Sequence, residues 1–280
     1  MCFSFPRLAL SRVSRLALLA AIVVPALPTP AAAELMIAPT RIVLSGAERS
    51  SELILVNKGD EETAYRIDAE NRRMRTDGAL ETATDTRSGE LFAADMIRFS
   101  PRRVVLEPGA RQSLRVSVTT PAGLAPGEYR SHLRLMSAPT SAGAATPAAT
   151  DANDGALSIQ LIAVRSITIP VIIRVGALDA TATVDTAALS RAGDNMLVVK
   201  LTRSGTRSTY GDLRVTVGGE ANPVYSVRGV AIYTPNTDRE VLLPLPADIR
   251  AKLAGQDVRI DYVSSDPKAP GLIATQRVHL

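Results

Sequence analysis

The chain has 280 residues, 46% of them hydrophobic, 21% charged and 4% aromatic, with a formal charge of +4. Three basic residues, Arg7, Arg12 and Arg15, fall in the first 33 positions, which hold no acidic residue, so the 32 basic residues become 29 in the remainder, against 28 acidic ones. That balance argues against a nucleic-acid binder, which carries a basic excess or stripe. The roughly 247 residues after position 33 suffice for two domains of ordinary size, each with its own core.

In chain order, the three arginines precede an apolar run from Leu16 to Leu27, and Ala31-Ala32-Ala33 follows. This is the pattern of an export signal, and it places the start of the mature chain at Glu34. A membrane anchor needs about 20 apolar residues, whereas this run is shorter and meets Pro25, Pro28 and Pro30. No later stretch is long and apolar enough to span, so no membrane span is expected. The single cysteine, Cys2, leaves with the signal, and the fold must be held by its core rather than by disulfides.

From Leu35 the pattern is of strands nearly throughout. Expected strands in residues 34–175 are Leu35 to Leu44, Glu52 to Asn57, Thr63 to Glu70, Asp95 to Phe99, Arg103 to Leu106, Ser113 to Val118, Tyr129 to Met136 and Leu157 to Val175. In residues 176–280 they are Thr181 to Asp185, Asn195 to Thr202, Asp212 to Val217, Val224 to Tyr233, Glu240 to Leu243, Asp257 to Tyr262 and Ala274 to Leu280. Short strands separated by Gly, Pro, Asn and Asp clusters predict an all-β chain of two Ig-like β-sandwich domains in tandem. The boundary falls near Gly176, after the run I-T-I-P-V-I-I-R-V. Pro246 to Ala254 offers one helical turn. Ser137 to Ala156 has almost no large apolar side chain and cannot offset its ordering entropy by burial, so a mobile loop is expected there. A shorter polar loop is expected at Arg72 to Gly89.

The clearest local signal is Ile97 to Val118, IRFSPRRVVLEPGARQSLRVSV. Leu114, Val116 and Val118 alternate with Ser113, Arg115 and Ser117, the period of a strand with one face buried. Before them Pro108-Gly109 supplies the fixed φ and the positive φ of a turn. The segment is therefore a hairpin or a corner between sheets. Beyond the Ser137–Ala156 loop, Leu157, Ile159, Leu161 and Ala163 form an alternating apolar row. That row either closes its own sandwich or offers an edge to another chain.

Catalytic patterns are lacking. His132 and His279 are too few and too scattered for a metal cluster or a nucleophile triad, and His132 reads as an ordinary strand residue, solvated or hydrogen-bonded. No Gly-x-Ser-x-Gly elbow or phosphate-cradling glycine motif is present. Acidic pairs such as Asp68 with Glu70 and Glu61 with Glu62 read as solvated charges.

The Arg-x-x-Pro-Arg run at 98–102, the following Leu-x-Pro-Gly and the alternating Leu-Arg-Val strand resemble the first domain of periplasmic pilus chaperones of the chaperone–usher pathway. Ala38-Pro39-Thr40-Arg41-Ile42-Val43-Leu44 is similar to their first strand. Residues 127–135, GEYRSHLRL, resemble the penultimate strand of their first domain, and residues 201–213, LTRSGTRSTYGDL, look like a strand, loop and strand of their second. The resemblance implies a non-enzymatic periplasmic protein without a cofactor. Its partners would be pilus or fimbrial subunits that lack one strand of their Ig fold, and an outer-membrane usher. It implies that Leu157, Ile159, Leu161 and Ala163 are the donated row, and that Arg41 receives the subunit's terminal carboxylate. Pro170 stands where the better-known members carry a lysine, which makes Arg165 a second anchoring candidate, and the Ile-Pro-Val-Ile-Ile-Arg ending at 169–174 resembles a more divergent branch linked to archaic or alternative pili. Arg174 is expected to pair with acidic residues near the domain junction. From another class, an exported adhesive or structural sandwich module remains open.

Overall fold

A computed structural model of the chain describes residues 35–138, 164–191 and 194–280. The expected row Leu157, Ile159, Leu161 and Ala163, and most of the expected loop, lie outside the described residues.

The strands of the first half are, among the described residues, β1 (Leu35–Ala38), β2 (Ile42–Ser45), β3 (Ser50–Asn57), β4 (Thr63–Glu70), β5 (Arg72–Met74), β6 (Leu80–Thr82), β7 (Ile97–Ser100), β8 (Arg103–Leu106), β9 (Arg111–Val118), β10 (Gly127–Ala138) and β11 (Ser166–Val175). One sheet runs β1-β3-β9-β7 and the facing sheet β2-β11-β10-β4-β8, with β5 and β6 a separate hairpin. Leu53, Leu55, Leu114, Val116, Leu133 and Val171 are among the fully buried residues between them. Truncating any one to Ala removes a side chain whose loss costs roughly 2–5 kcal/mol.

The segment from 97 to 118 is a corner rather than a hairpin. β8 pairs with β4 in one sheet while β9 pairs with β3 and β7 in the other. Gly109 has φ +73° at the turn. Asn57 fastens it: fully buried, it donates from Nδ2 to the carbonyls of Glu61 (2.7 Å) and Leu106 (2.9 Å) and accepts from the Gly59 N–H (2.9 Å).

Leu35 to Leu44, expected as one strand, is two. β1 pairs antiparallel with β3, and β2 pairs parallel with β11 in the opposite sheet. The inward residues are Leu35 and Ile37, then Ile42 and Leu44. That change of parity is impossible within one regular strand, and Pro39 between them has no N–H for a ladder. Within Asp95 to Phe99, the first residues form a 3₁₀ turn, Ala94–Met96, and the strand starts at Ile97. The Arg72–Gly89 loop contains the β5–β6 hairpin, whose three-residue strands are too short and polar to show alternation.

The second sandwich comprises β12 (Ala180–Leu189), β13 (Met196–Gly205), β14 (Thr209–Val217), β15 (Tyr225–Ile232), β16 (Asp238–Pro244), α1 (Ala247–Leu253), β17 (Asp257–Ser264) and β18 (Gly271–His279). Its sheets run β12-β13-β16 and β15-β14-β17-β18. Leu197, Val199 and Leu201 of β13 alternate into the core against Leu213, Val215, Ile260 and Tyr262. The buried Tyr262 hydroxyl donates to the Val230 carbonyl at 2.8 Å, and α1 inserts Leu253.

The two sandwiches meet along a seam of Met74 and Ile172 from the first and Ala231 and Tyr233 from the second. The β5–β6 hairpin straps across it. Asn236 Nδ2 donates to the Met74 carbonyl at 2.9 Å, and the Glu240 N–H donates to the Thr76 carbonyl at 2.8 Å.

Candidate functional site

The outer face of the sheet containing β2, β10 and β11 carries its even-numbered β10 and β11 residues toward the second sandwich. Tyr129, Leu133 and Leu135 of β10 face the first core, which leaves Glu128, Arg130 and His132 on the opposite side. Such a row of polar side chains, sandwiched between two cores, must find partners or lose the free energy of hydration.

Glu128, 2% exposed, does so fully. It accepts from Arg174 Nε at 3.0 Å, from the Ser208 N–H at 3.0 Å and from the Ser208 hydroxyl. Arg174 also donates from Nη1 to Asp266 Oδ2 at 3.3 Å, so one arginine joins carboxylates of both sandwiches. Alongside, Lys268 pairs with Glu48.

Arg130 is 5% exposed and is satisfied mainly by a ring. Its guanidinium lies 4.1 Å from the Tyr233 centroid, with Nη2 donating to the Arg72 carbonyl at 3.3 Å. Nε and Nη1 have no hydrogen-bond partner. Burial lowers its pKa to about 10, so it stays charged at neutral pH, stabilised by the ring's negative face.

His132 is 0% exposed, and among the described residues neither ring nitrogen has a hydrogen-bond partner. The expectation of an ordinary solvated or hydrogen-bonded strand histidine is thus corrected. Opposite it in the ladder is Pro170, which has no N–H, and its ring meets Tyr233 edge-on at 6.4 Å and 84°. Burial, then the charges of Arg130, Arg72 and Arg41, push its pKa down to about 3.

Arg41 lies between β1 and β2, half-buried, with its guanidinium 4.3 Å from the Tyr210 centroid and 5.5 Å from that of Tyr233. Its Nη1 is buried without a hydrogen-bond partner. It belongs to the wall of a cleft of about 980 Å³ between the sandwiches, bordered by all of β2, by Arg174, by Tyr210, Asp212 and Arg214 of β14, by Ser226 and Arg228 of β15, and by Ser265 to Lys268. Arg165 is elsewhere: it is exposed just before β11, where its N–H donates to the Ser137 hydroxyl at 2.9 Å and its carbonyl accepts from the Ser137 N–H at 2.8 Å. Arg41 and Arg174 thus share the cleft, and Arg165 does not line it.

Sequence reading misses Tyr210 and Tyr233, on which Arg41 depends, because nothing local in the chain relates residue 41 to residues 210 and 233. It also misses the buried role of Glu128. The parity of β10 carries that signal, since residues 128, 130 and 132 fall on the face opposite Tyr129 and Leu133. Among the described residues, no group of three or more His, Cys, Asp or Glu side chains is placed to hold a metal, and no helix is long and apolar enough to cross a membrane.

The fold and site define a class: tandem Ig-like β-sandwiches with a charged cleft between them. No family model matches the chain, and no curated protein matches it. Among solved structures it is similar to the CsuC–CsuE chaperone–tip adhesion subunit pre-assembly complex from archaic chaperone–usher Csu pili of Acinetobacter baumannii, at 11% identity over 86% of this chain and 97% of that one, TM-score 0.47. It is similar to the E. coli chaperone DraB at 19% identity over 88% and 98%, TM-score 0.39. A third is the Salmonella enterica SafA pilin complex with the SafB chaperone, at 16% identity over 88% and 96%, TM-score 0.41.

Proposed function

We propose that the protein is a periplasmic pilus-assembly chaperone that captures incomplete subunits by donating a β-strand and delivers them to an outer-membrane usher. The observation that carries this reading is an open edge on β11. β2 pairs with β11 only from Val171 to Arg174, so Ser166 to Pro170 have β10 on one side and, among the described residues, no strand on the other. Unpaired N–H and C=O groups in a row are a template for another chain.

The apolar pattern supports the same reading. Ile169, Val171 and Ile173 of β11 face the core, and Leu157, Ile159, Leu161 and Ala163 continue their odd-numbered row backward in the sequence. Strand addition uses such a row to fill pockets in the partner while the backbone supplies the ladder. Arg41, at the wall of the cleft and held against Tyr210, is the cation that would receive the subunit's terminal carboxylate. A guanidinium suits it through its planar fork of donors.

The test is to capture the tagged protein from the periplasm of its host and identify co-purifying chains by mass spectrometry, beside an Ile159→Asp, Leu161→Asp variant. A strand-rich secreted subunit that accompanies the wild type and is lost with the variant is the expected result. A subunit retained equally by both would remove strand donation. No subunit at all under pilus-expressing conditions would favour an adhesive module.

A further inference from the structure

Among the described residues, β2 is an edge strand whose only ladder is the parallel one with β11. Ile42 and Leu44 are 2% and 3% exposed, with side chains in the first core, yet both border the interdomain cleft. What they present to it is therefore backbone. The opposite wall is cationic. Arg214 and Arg228 are exposed on neighbouring strands, with Arg214 opposite Ser226, two residues before Arg228. Neither has an ion-pair or hydrogen-bond partner among the described residues. The carboxylates near them are engaged elsewhere. Asp212 accepts from the Gly229 N–H (3.1 Å) and the Ser265 hydroxyl (2.7 Å). Asp261, opposite Arg214 in the ladder, accepts from Arg259 at 2.9 Å and from the Thr275 hydroxyl at 2.7 Å. Across the whole lining, five Lys and Arg residues face three carboxylates.

We infer that this cleft is a second docking site, in which an extended acidic peptide segment adds to the free edge of β2 and places side-chain carboxylates on Arg214 and Arg228. A sheet edge supplies main-chain hydrogen bonds without sequence preference. The two unpaired guanidiniums select for charge, because they gain a bidentate partner and lose little hydration at an exposed wall. The site shares the cleft with Arg41 but uses the edge of β2 and the Arg214–Arg228 wall rather than the open edge of β11, and it stands whether or not that edge receives a subunit.

The probe is a labelled decapeptide alternating Glu with Val, titrated into the purified protein by fluorescence anisotropy at low salt, with the Gln-for-Glu peptide as reference. The Glu peptide should bind at least tenfold more tightly and weaken with added salt. An R214Q/R228Q variant with an unchanged melting temperature should lose tenfold or more, and N-methylation of alternate peptide nitrogens should weaken binding to a similar degree. The Ile159→Asp, Leu161→Asp variant should bind the peptide as the wild type does. Equal binding of the Gln peptide, indifference to R214Q/R228Q, or loss of binding in the Ile159, Leu161 variant would overturn the inference. So would displacement by millimolar inorganic phosphate together with indifference to N-methylation, the signature of a simple anion pocket.

Discussion

Tyr233 gathers three cationic or titratable side chains at the seam. Arg130 lies on its ring, Arg41 approaches it from the cleft side, and His132 meets it edge-on. A neutral His132 is compatible with the nearby guanidiniums of Arg130, Arg72 and Arg41, whereas a protonated one would add a fourth positive charge to them. Its folded pKa of about 3 lies below the ordinary histidine value, because burial and the neighbouring guanidiniums both oppose the charged form. The unfolded chain therefore binds the extra proton first as pH falls. The stability conferred by neutral His132 is fully present above about pH 6.5 and is lost progressively toward pH 3, by on the order of 5 kcal/mol. Denaturant unfolding measured from pH 7 to pH 4 should show this slope, and His132→Phe should flatten it. An identical slope in the variant would mean that other groups govern acid sensitivity.

The elements show where local pattern suffices and where it stops. β4 and β8 coincide with their sequence-based bounds because turn residues flank them, Gly59-Asp60 and Asn71 around β4 and Pro101 and Pro108-Gly109 around β8. The division of β1 from β2 was legible in the shift of the apolar row from odd to even positions, which a reading based on composition overlooks. The β5–β6 hairpin was not legible. Its stability comes from partners far along the chain: Met74 is buried against Ile172, Ala231 and Tyr233, and the hairpin's carbonyls accept from Asn236 and Glu240. Met74→Ala should accordingly cost roughly 2–5 kcal/mol, the range for emptying a buried methionine site. Amide hydrogen exchange should then rise in both β5–β6 and the Ala231–Tyr233 segment. Faster exchange confined to the hairpin would show that it does not brace the second sandwich.

At the scale of the molecule, the question is whether two sandwiches with separate cores behave as one body. Interfaces between domains of a chain are commonly small enough to permit relative motion, but here the seam has a buried ion pair at its centre. Glu128 of the first sandwich accepts from both donors of Ser208 in the second, while Arg174 bridges Glu128 to Asp266. A carboxylate taken out of water is retained only if its donors are all in place, and they are contributed by both halves. The Glu128–Arg174 pair lies within the first sandwich, so separation would take from Glu128 its two Ser208 donors and from Asp266 its contact with Arg174. Removing one partner of such a buried pair costs about 3–5 kcal/mol, whereas removing one hydroxyl donor to a charged group costs about 1.5–3 kcal/mol. The wild type should therefore unfold in a single calorimetric transition, and Ser208→Ala should lower its midpoint without dividing it. Glu128→Ala should divide the transition in two, because each core survives while the coupling is lost. A single transition in Glu128→Ala, shifted no further than in Ser208→Ala, would place the coupling in the apolar contacts around Met74 and Tyr233 instead.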